Sequence, residues 1–289
     1  TADIAALTSA QVGALSSAQL AALTSSQIAG LETADMGALT SAQIKMLGAA
    51  TVSQLSSSQI RTLTSTQLRA LTSSQIQALA TSSINQLTTS QFGTLSSSNI
   101  ASLTSAQIVG LSSSLFNALT TSQIGSISTT ALSSLSSDQI RAFGDTGASA
   151  LSATQISALG TSSITKLSSN QISALSTSAV NALSGAQIST LGTSNINNLT
   201  STQLRALTTT AINALSSAQI TQLDAKIATL TPTLIKAISA DVINQLTSAQ
   251  IQALDTSGIT ALSATQIQVL DTADIAALTS AQVGALSSA

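Results

Sequence analysis

The sequence predicts an all-α solenoid of very short, capped helices. Three observations predict it: an apolar period of one octad, a helix-capping signature inside each octad, and a sorting of charge along it.

The period comes first, because internal repetition decides the fold class. Let slot 1 be Leu7 in the octad Leu7-Thr8-Ser9-Ala10-Gln11-Val12-Gly13-Ala14. Slot 1 is Leu, Ile or Phe in all 36 octads, with Ile127, Phe143 and Ile238 as the departures from Leu. Slot 6 is a large apolar residue throughout, except at Ala148. The phase slips once, by one residue, between Leu223 and Leu230. Elsewhere it holds, so residues 1–289 read as a single continuous repeat array without a linker. Residues 1–18 are identical to residues 272–289, which predicts a 271-residue super-repeat within a longer tandem array.

An octad period does not fit one long helix. It would need about 4.0 residues per turn, and its apolar stripe would wind round the axis. Strands need a period of two, whereas slots 6 and 1 lie three apart. That spacing suits one face of a short helix in each octad. A β-solenoid is the alternative architecture.

Capping and charge favour the helix. Slot 2 is mostly Ser, Thr, Asp or Gly, the preferred N-cap residues. Gln at slot 5 completes the capping box S/T-x-x-Q. The single proline, Pro232, falls at slot 3, the first helical position, where a missing N–H costs nothing. All ten acids (Asp3, Glu32, Asp35, Asp138, Asp145, Asp224, Asp241, Asp255, Asp271 and Asp274) occupy slots 2 to 5. Seven of the eight basic residues, Lys45, Arg61, Arg69, Arg141, Lys166, Arg205 and Lys236, occupy slots 7 or 8. The helix macrodipole favours that order, and a β-solenoid gives no reason for it. At about 100° per residue, slots 6, 1, 5, 8 and 4 cover one broad arc, so these are expected inside and slots 3 and 7 outside.

Slot 5 also divides the octads into two classes. Gln11, Gln27, Gln43, Gln59, Gln75, Gln91, Gln107, Gln123, Gln139, Gln155, Gln171, Gln187, Gln203 and Gln219 recur in every second octad. After Leu234 the series resumes with Gln250, Gln266 and Gln282. The alternate octads carry Asp3, Asp35, Thr51, Ser83, Asn99, Ala131, Ala211 and others, with Gln only at Gln19 and Gln67. The expected unit is therefore a pair of octapeptides, a 16-residue helical hairpin or coil that stacks on the next. Such helices are too short to stand alone and depend on stacking, as in any one-dimensional array. The glutamines are expected to line one edge as capping-box residues, with a ladder of side-chain amides from coil to coil as the compatible, more specific reading.

Composition excludes much chemistry. Charged residues make up 6% and the net charge is -2, which leaves no electrostatic footprint for nucleic acid. There is no His, Cys, Trp or Tyr. Nucleophilic serine then lacks its usual base, and only a Ser–Lys pair with Lys45, Lys166, Lys226 or Lys236 stays open. Acids occur mostly as singles; Asp3, Glu32 and Asp35 are the nearest thing to a metal cluster, without Ca²⁺-loop spacing. The basic row Lys45, Arg61, Arg141, Arg205 and Lys236 reads as a solvated face. No apolar run approaches the roughly 18 residues of a membrane helix, and no signal peptide is visible. The expectation is a protein that is not an enzyme, with no catalytic, cofactor or metal residues.

The octads Leu7-Thr8-Ser9-Ala10-Gln11-Val12 and Leu246-Thr247-Ser248-Ala249-Gln250-Ile251 resemble low-complexity tracts of giant secreted or surface proteins of Gram-negative bacteria, of the adhesin-like, type I-secreted kind. The resemblance covers the whole chain and implies an extracellular or cell-surface structural role: a filament, sheath or stalk. The lack of Asp/Gly-rich nonapeptides departs from calcium-binding repeats. The expected partner is the chain itself, head-to-tail or laterally, since the first and last octads are ordinary core repeats; neither nucleic acid nor membrane insertion is expected. The alternative is a surface-binding module whose Ser, Thr and Gln rows meet an adhesin target, a glycan or ice.

Overall fold

The computed structural model describes Ile4 and residues 6–286, so Asp3 lies outside the described residues. Those residues form 35 short helices, one of them 3-10, and no strand. The fold is all-α, and the β-solenoid alternative falls. Helices run from four residues (Ala49–Val52) to seven (Ser280–Leu286), and most begin at slot 3.

The octad folds this way for local reasons. In Ser41–Met46, the Thr40 hydroxyl accepts the Gln43 backbone N–H at 3.2 Å, and the Gln43 side-chain oxygen accepts the Thr40 N–H at 2.6 Å. These two bonds satisfy orphan donors of the first turn. The helix ends because Leu47 is extended (φ -61°, ψ 136°) while its N–H still donates to the Ile44 carbonyl. The next slot-2 residue, Gly48, is extended as well. A corner of two extended residues then leads into the next helix. Pro232 is the first residue of Pro232–Ala237, whose cap hydroxyl, on Thr231, accepts the Leu234 N–H.

The chain divides into two compact units, Thr1–Gly147 and Ala148–Ala289. In the first, Ser9–Ala14 packs on Thr33–Ala38, which packs on Ser57–Thr62, which packs on Thr81–Ile84. In the second, Ala153–Ala158, Thr177–Asn181, Ser201–Ala206, the 3-10 helix Asp224–Thr229, Ser248–Ala253 and Thr272–Ala277 form one such column. Every strongly packed pair in either unit is three helices apart. Each turn of the solenoid therefore holds three octads, one per side.

This corrects the 16-residue hairpin. A two-residue extended corner turns the chain but is too short to fold one helix back antiparallel on its neighbour, so the path closes after three sides. The two-octad alternation at slot 5 is real, yet it is laid over a three-octad coil. Gln11, Gln27 and Gln43 consequently sit on three different sides, not along one edge.

The core runs inside each stack. Slot 1 and slot 6 side chains such as Leu63, Leu68, Leu71, Ile76, Leu79 and Ile84 fill it. Burial also corrects the expected arc. Slot 4 is exposed at Ala10, Ala42, Ala106 and Ala249, whereas slot 3 is half-buried at Ser9, Ser41, Ser105 and Ser248. Shielding comes from the coils above and below as well as from the core, and slot 3 is the position that meets a neighbouring coil.

The slip is absorbed locally. Leu223, Ile227, Leu230 and Ile235 are all buried, so the core keeps its register across the short octad. The backbone takes up the change in a different corner: Leu223 is helical (φ -70°, ψ -15°), Asp224 has φ 46°, and the helix tightens to 3-10.

Candidate functional site

The most highly organised polar arrangement is the set of bonds between successive coils, and slot 5 is its centre. Gln43, Gln59, Gln67, Gln75, Gln107, Gln123, Gln139, Gln155, Gln171, Gln187, Gln203, Gln219, Gln250, Gln266 and Gln282 are all buried. A buried amide needs both its ends satisfied. In Gln203 the oxygen accepts the Thr200 N–H at 2.8 Å within its own coil. The amide nitrogen donates to the carbonyls of Ile172 at 3.0 Å, Ser173 at 3.1 Å and Leu175 at 2.7 Å, all in the coil before. Those carbonyls belong to the end of one helix and the corner after it, where a helix C-terminus leaves acceptors to be satisfied; the Ile172 carbonyl also accepts the Leu175 N–H. One side chain thus caps the start of its own helix and the end of another about one coil away.

The same pattern recurs from Gln43, which reaches the carbonyls of Gly13 and Leu15, through Gln107, which reaches Ile76, Gln77 and Leu79, to Gln282, which reaches Ile251, Gln252 and Leu254. The ladder therefore runs from amide to backbone carbonyl, not from amide to amide. Gln155 and Gln171 accept the N–H of Ser152 and Ser168. Gln11 and Gln27 make the capping-box bonds to Thr8 and Thr24; the positions one coil earlier that would meet their amides precede Thr1.

The alternate octads make a different step. In several that lie over a glutamine octad, the short slot-5 side chain meets the slot-3 serine below, whereas Asn99 reaches the Leu71 carbonyl at 3.0 Å. Ser9 donates to Asp35 at 2.8 Å, Ser169 to Asn195 at 2.8 Å and Ser248 to Asp274 at 2.9 Å, and Ser25 pairs with Thr51. The alternation is not obligatory, however. Gln19, Gln43, Gln67 and Gln91 stand on one side in four successive coils, and Gln67 and Gln91 reach the corner carbonyls of Leu39 and Leu63 as any other glutamine does.

Two sets of ties go beyond the sequence expectations. At slot 7, Arg69 donates to the Thr94 carbonyl at 2.6 Å, Asn85 to Gly110 at 2.8 Å, Asn181 to Ala206 at 2.7 Å and Arg205 to Thr229 at 2.9 Å. Arg69, Asn181 and Arg205 are exposed and Asn85 half-buried, yet all four bind the next coil, so the solvated-face reading of slot 7 is incomplete. The second is Lys226. It immediately precedes the buried Ile227, as glutamine precedes the slot-6 residue elsewhere, and its ammonium donates to the carbonyls of Asn197 and, at 3.3 Å, Leu199. Lys226 is the one basic residue outside slots 7 and 8, and that is the signal the sequence offers for it.

No buried side-chain polar atom lacks a partner among the described residues, and no group of three acidic side chains gathers there as a metal would require. Among the same residues no helix is long and apolar enough to cross a membrane. An open cavity of about 580 Å³ lies in the first unit, beside Lys45 and Arg69.

The family model of the ALTTAQ repeat matches residues 1–33, 28–65 and 251–288, so the chain is rich in a recognised repeat. No curated protein matches it.

Proposed function

We propose that this chain is a structural repeat protein that forms or extends an extracellular filament, sheath or stalk, and that it is not an enzyme. The observation that carries the reading is the glutamine ladder. Each coil uses its most deeply placed polar side chains to hold the coil before it, so the same step repeats along a stack. Alternate octads and slot-7 side chains add further ties between successive coils. A stack of this kind gains length by addition of identical steps, which suits a spacer or fibre. The octads' resemblance to giant surface and secreted proteins of Gram-negative bacteria supports an extracellular or cell-surface location and a self-assembling, adhesin-like setting.

Sedimentation and electron microscopy of the 289-residue chain over a range of concentrations test the proposal. Filaments, joined head-to-tail or laterally, are the expected result. A monomer at every concentration, together with saturable binding to a glycan or ice that is lost on replacing slot-3 serines, would overturn it in favour of a surface-binding module.

A further inference from the structure

The chain carries eight basic residues, and two of them stand together. Lys45 and Arg69 are three octads apart, the same slot on successive coils of one side, and both line the cavity of about 580 Å³ in the first unit. No other slot-7 column of either unit sets two cations on successive coils. Ten acids are distributed over the chain, yet none lines this cavity.

The Lys45 side chain has no hydrogen-bond or ion-pair partner among the described residues. Arg69 uses only its Nε–H, on the Thr94 carbonyl at 2.6 Å. That bond fixes the root of the guanidinium and leaves four of its five N–H donors for another group. Two like charges at one coil spacing repel, and the repulsion is relieved when an anion sits between them. The hydroxyls of Ser41, Ser73 and Ser98 line the same cavity, beside the apolar Ala42, Ala70 and Leu71. Its volume lies within the usual range of small-ligand sites, roughly 300–1,000 Å³.

We propose that this cavity binds an acidic sugar. The carboxylate bridges the Lys45 ammonium and the Arg69 guanidinium, and the sugar hydroxyls meet those of Ser41, Ser73 and Ser98. Arginine favours a planar carboxylate because its parallel N–H groups match the two oxygens. This site does not depend on filament formation, so it stands or falls separately from the structural reading.

Isothermal titration of the full chain with D-glucuronate, with glucose and sulfate as comparison ligands, tests it at low ionic strength. Saturable glucuronate binding is expected, at least tenfold tighter than glucose or sulfate. Lys45→Ala, which removes no bond of the fold, should weaken it about tenfold or more, and Lys45→Glu should abolish it; circular dichroism and melting temperature should not change. Absence of saturable binding, or binding unchanged in Lys45→Ala, would overturn the proposal. Sulfate binding as tight as glucuronate would overturn the assignment to a sugar.

Discussion

Two coils of the second unit make the same connection by different means. At the regular corner after Ser169–Ala174, Leu175 is extended (φ -58°, ψ 142°), and its carbonyl accepts the Gln203 amide of a later coil at 2.7 Å. At the short octad, Leu223 is helical, and its carbonyl turns into its own 3-10 helix to accept the Lys226 N–H at 2.8 Å. Gln250, which stands over it, keeps only the carbonyls of Ile220 and Thr221, at 3.2 and 3.1 Å. Deletion of one residue thus leaves the core in register and removes a tie above it. Lys226, whose long side chain reaches the coil below, stands in an alternate octad, where most such octads carry a short side chain. Core register and corner bonding are separable properties of this fold.

The core is the more costly to break. Ile227→Ala and Ile251→Ala should each destabilise the second unit by about 2–5 kcal/mol, the range for a buried large-to-small change. Equal losses in chemical denaturation are expected, since both side chains are fully buried. A much smaller loss at Ile227 would mean that the short octad is loosely packed.

The ties come next. Gln203→Glu places a carboxylate against the carbonyls of Ile172, Ser173 and Leu175, and about 3 kcal/mol or more should be lost at neutral pH. The folded state would retain a proton on that carboxyl that the unfolded chain has released. The variant should therefore regain stability as pH falls, and a melting temperature that does not rise toward acid would contradict the donor role of the amide. Gln203→Ala should cost about 2–3 kcal/mol and Gln250→Ala about 1–2 kcal/mol, because Gln250 has lost the corner carbonyl. Lys226→Met keeps most of the side-chain bulk and should cost about 1–2 kcal/mol if its ammonium caps the coil below. No change in denaturation midpoint would reduce Lys226 to a solvated lysine.

Two aspartates at slot 2 give the smallest effects. Asp224, with φ 46°, occupies the left-handed region that suits glycine, and Asp224→Gly should stabilise the chain by about 0.5–1 kcal/mol. Asp255 is an ordinary N-cap. Its pKa is lowered from 3.8, first by the Gly258 backbone N–H and then by the Ser257 hydroxyl. A lowered folded pKa contributes stability above the unfolded value and loses it as pH falls through the folded one. Asp255→Asn should remove that acid-range dependence, which is small because the group is exposed.

Helix, cap and charge order are legible because each is written within one octad: Thr40 and Gln43 stand three apart, and Lys45 follows two later. The number of octads per coil is not. It depends on corner angles, and Leu47-Gly48 contains no residue that announces an extended turn of one size over another. The strongest periodic signal, glutamine in every second octad, points to a two-octad unit because it merges chemical alternation with geometric repeat. The destinations of Gln203 and Arg69 are carbonyls, which every residue has, so no side-chain pattern marks them. Slot 3 points outward on a helical wheel for a related reason: the wheel knows the helix's own core but not the coil above.

The coil of three octads is the central claim, and the lack of cysteine makes a clean test of it. A Cβ at Gly13 would lie 4.0 Å from the Cβ of Ala38, within the span of a disulfide. The measurement is oxidation of the double variant Gly13→Cys/Ala38→Cys beside Gly13→Cys/Ala29→Cys, read by mobility and mass before and after reduction. The account predicts an intramolecular disulfide between residues 13 and 38 and none between 13 and 29. Cross-linking of 13 to 29 and not to 38 would restore the 16-residue hairpin and contradict the three-sided coil.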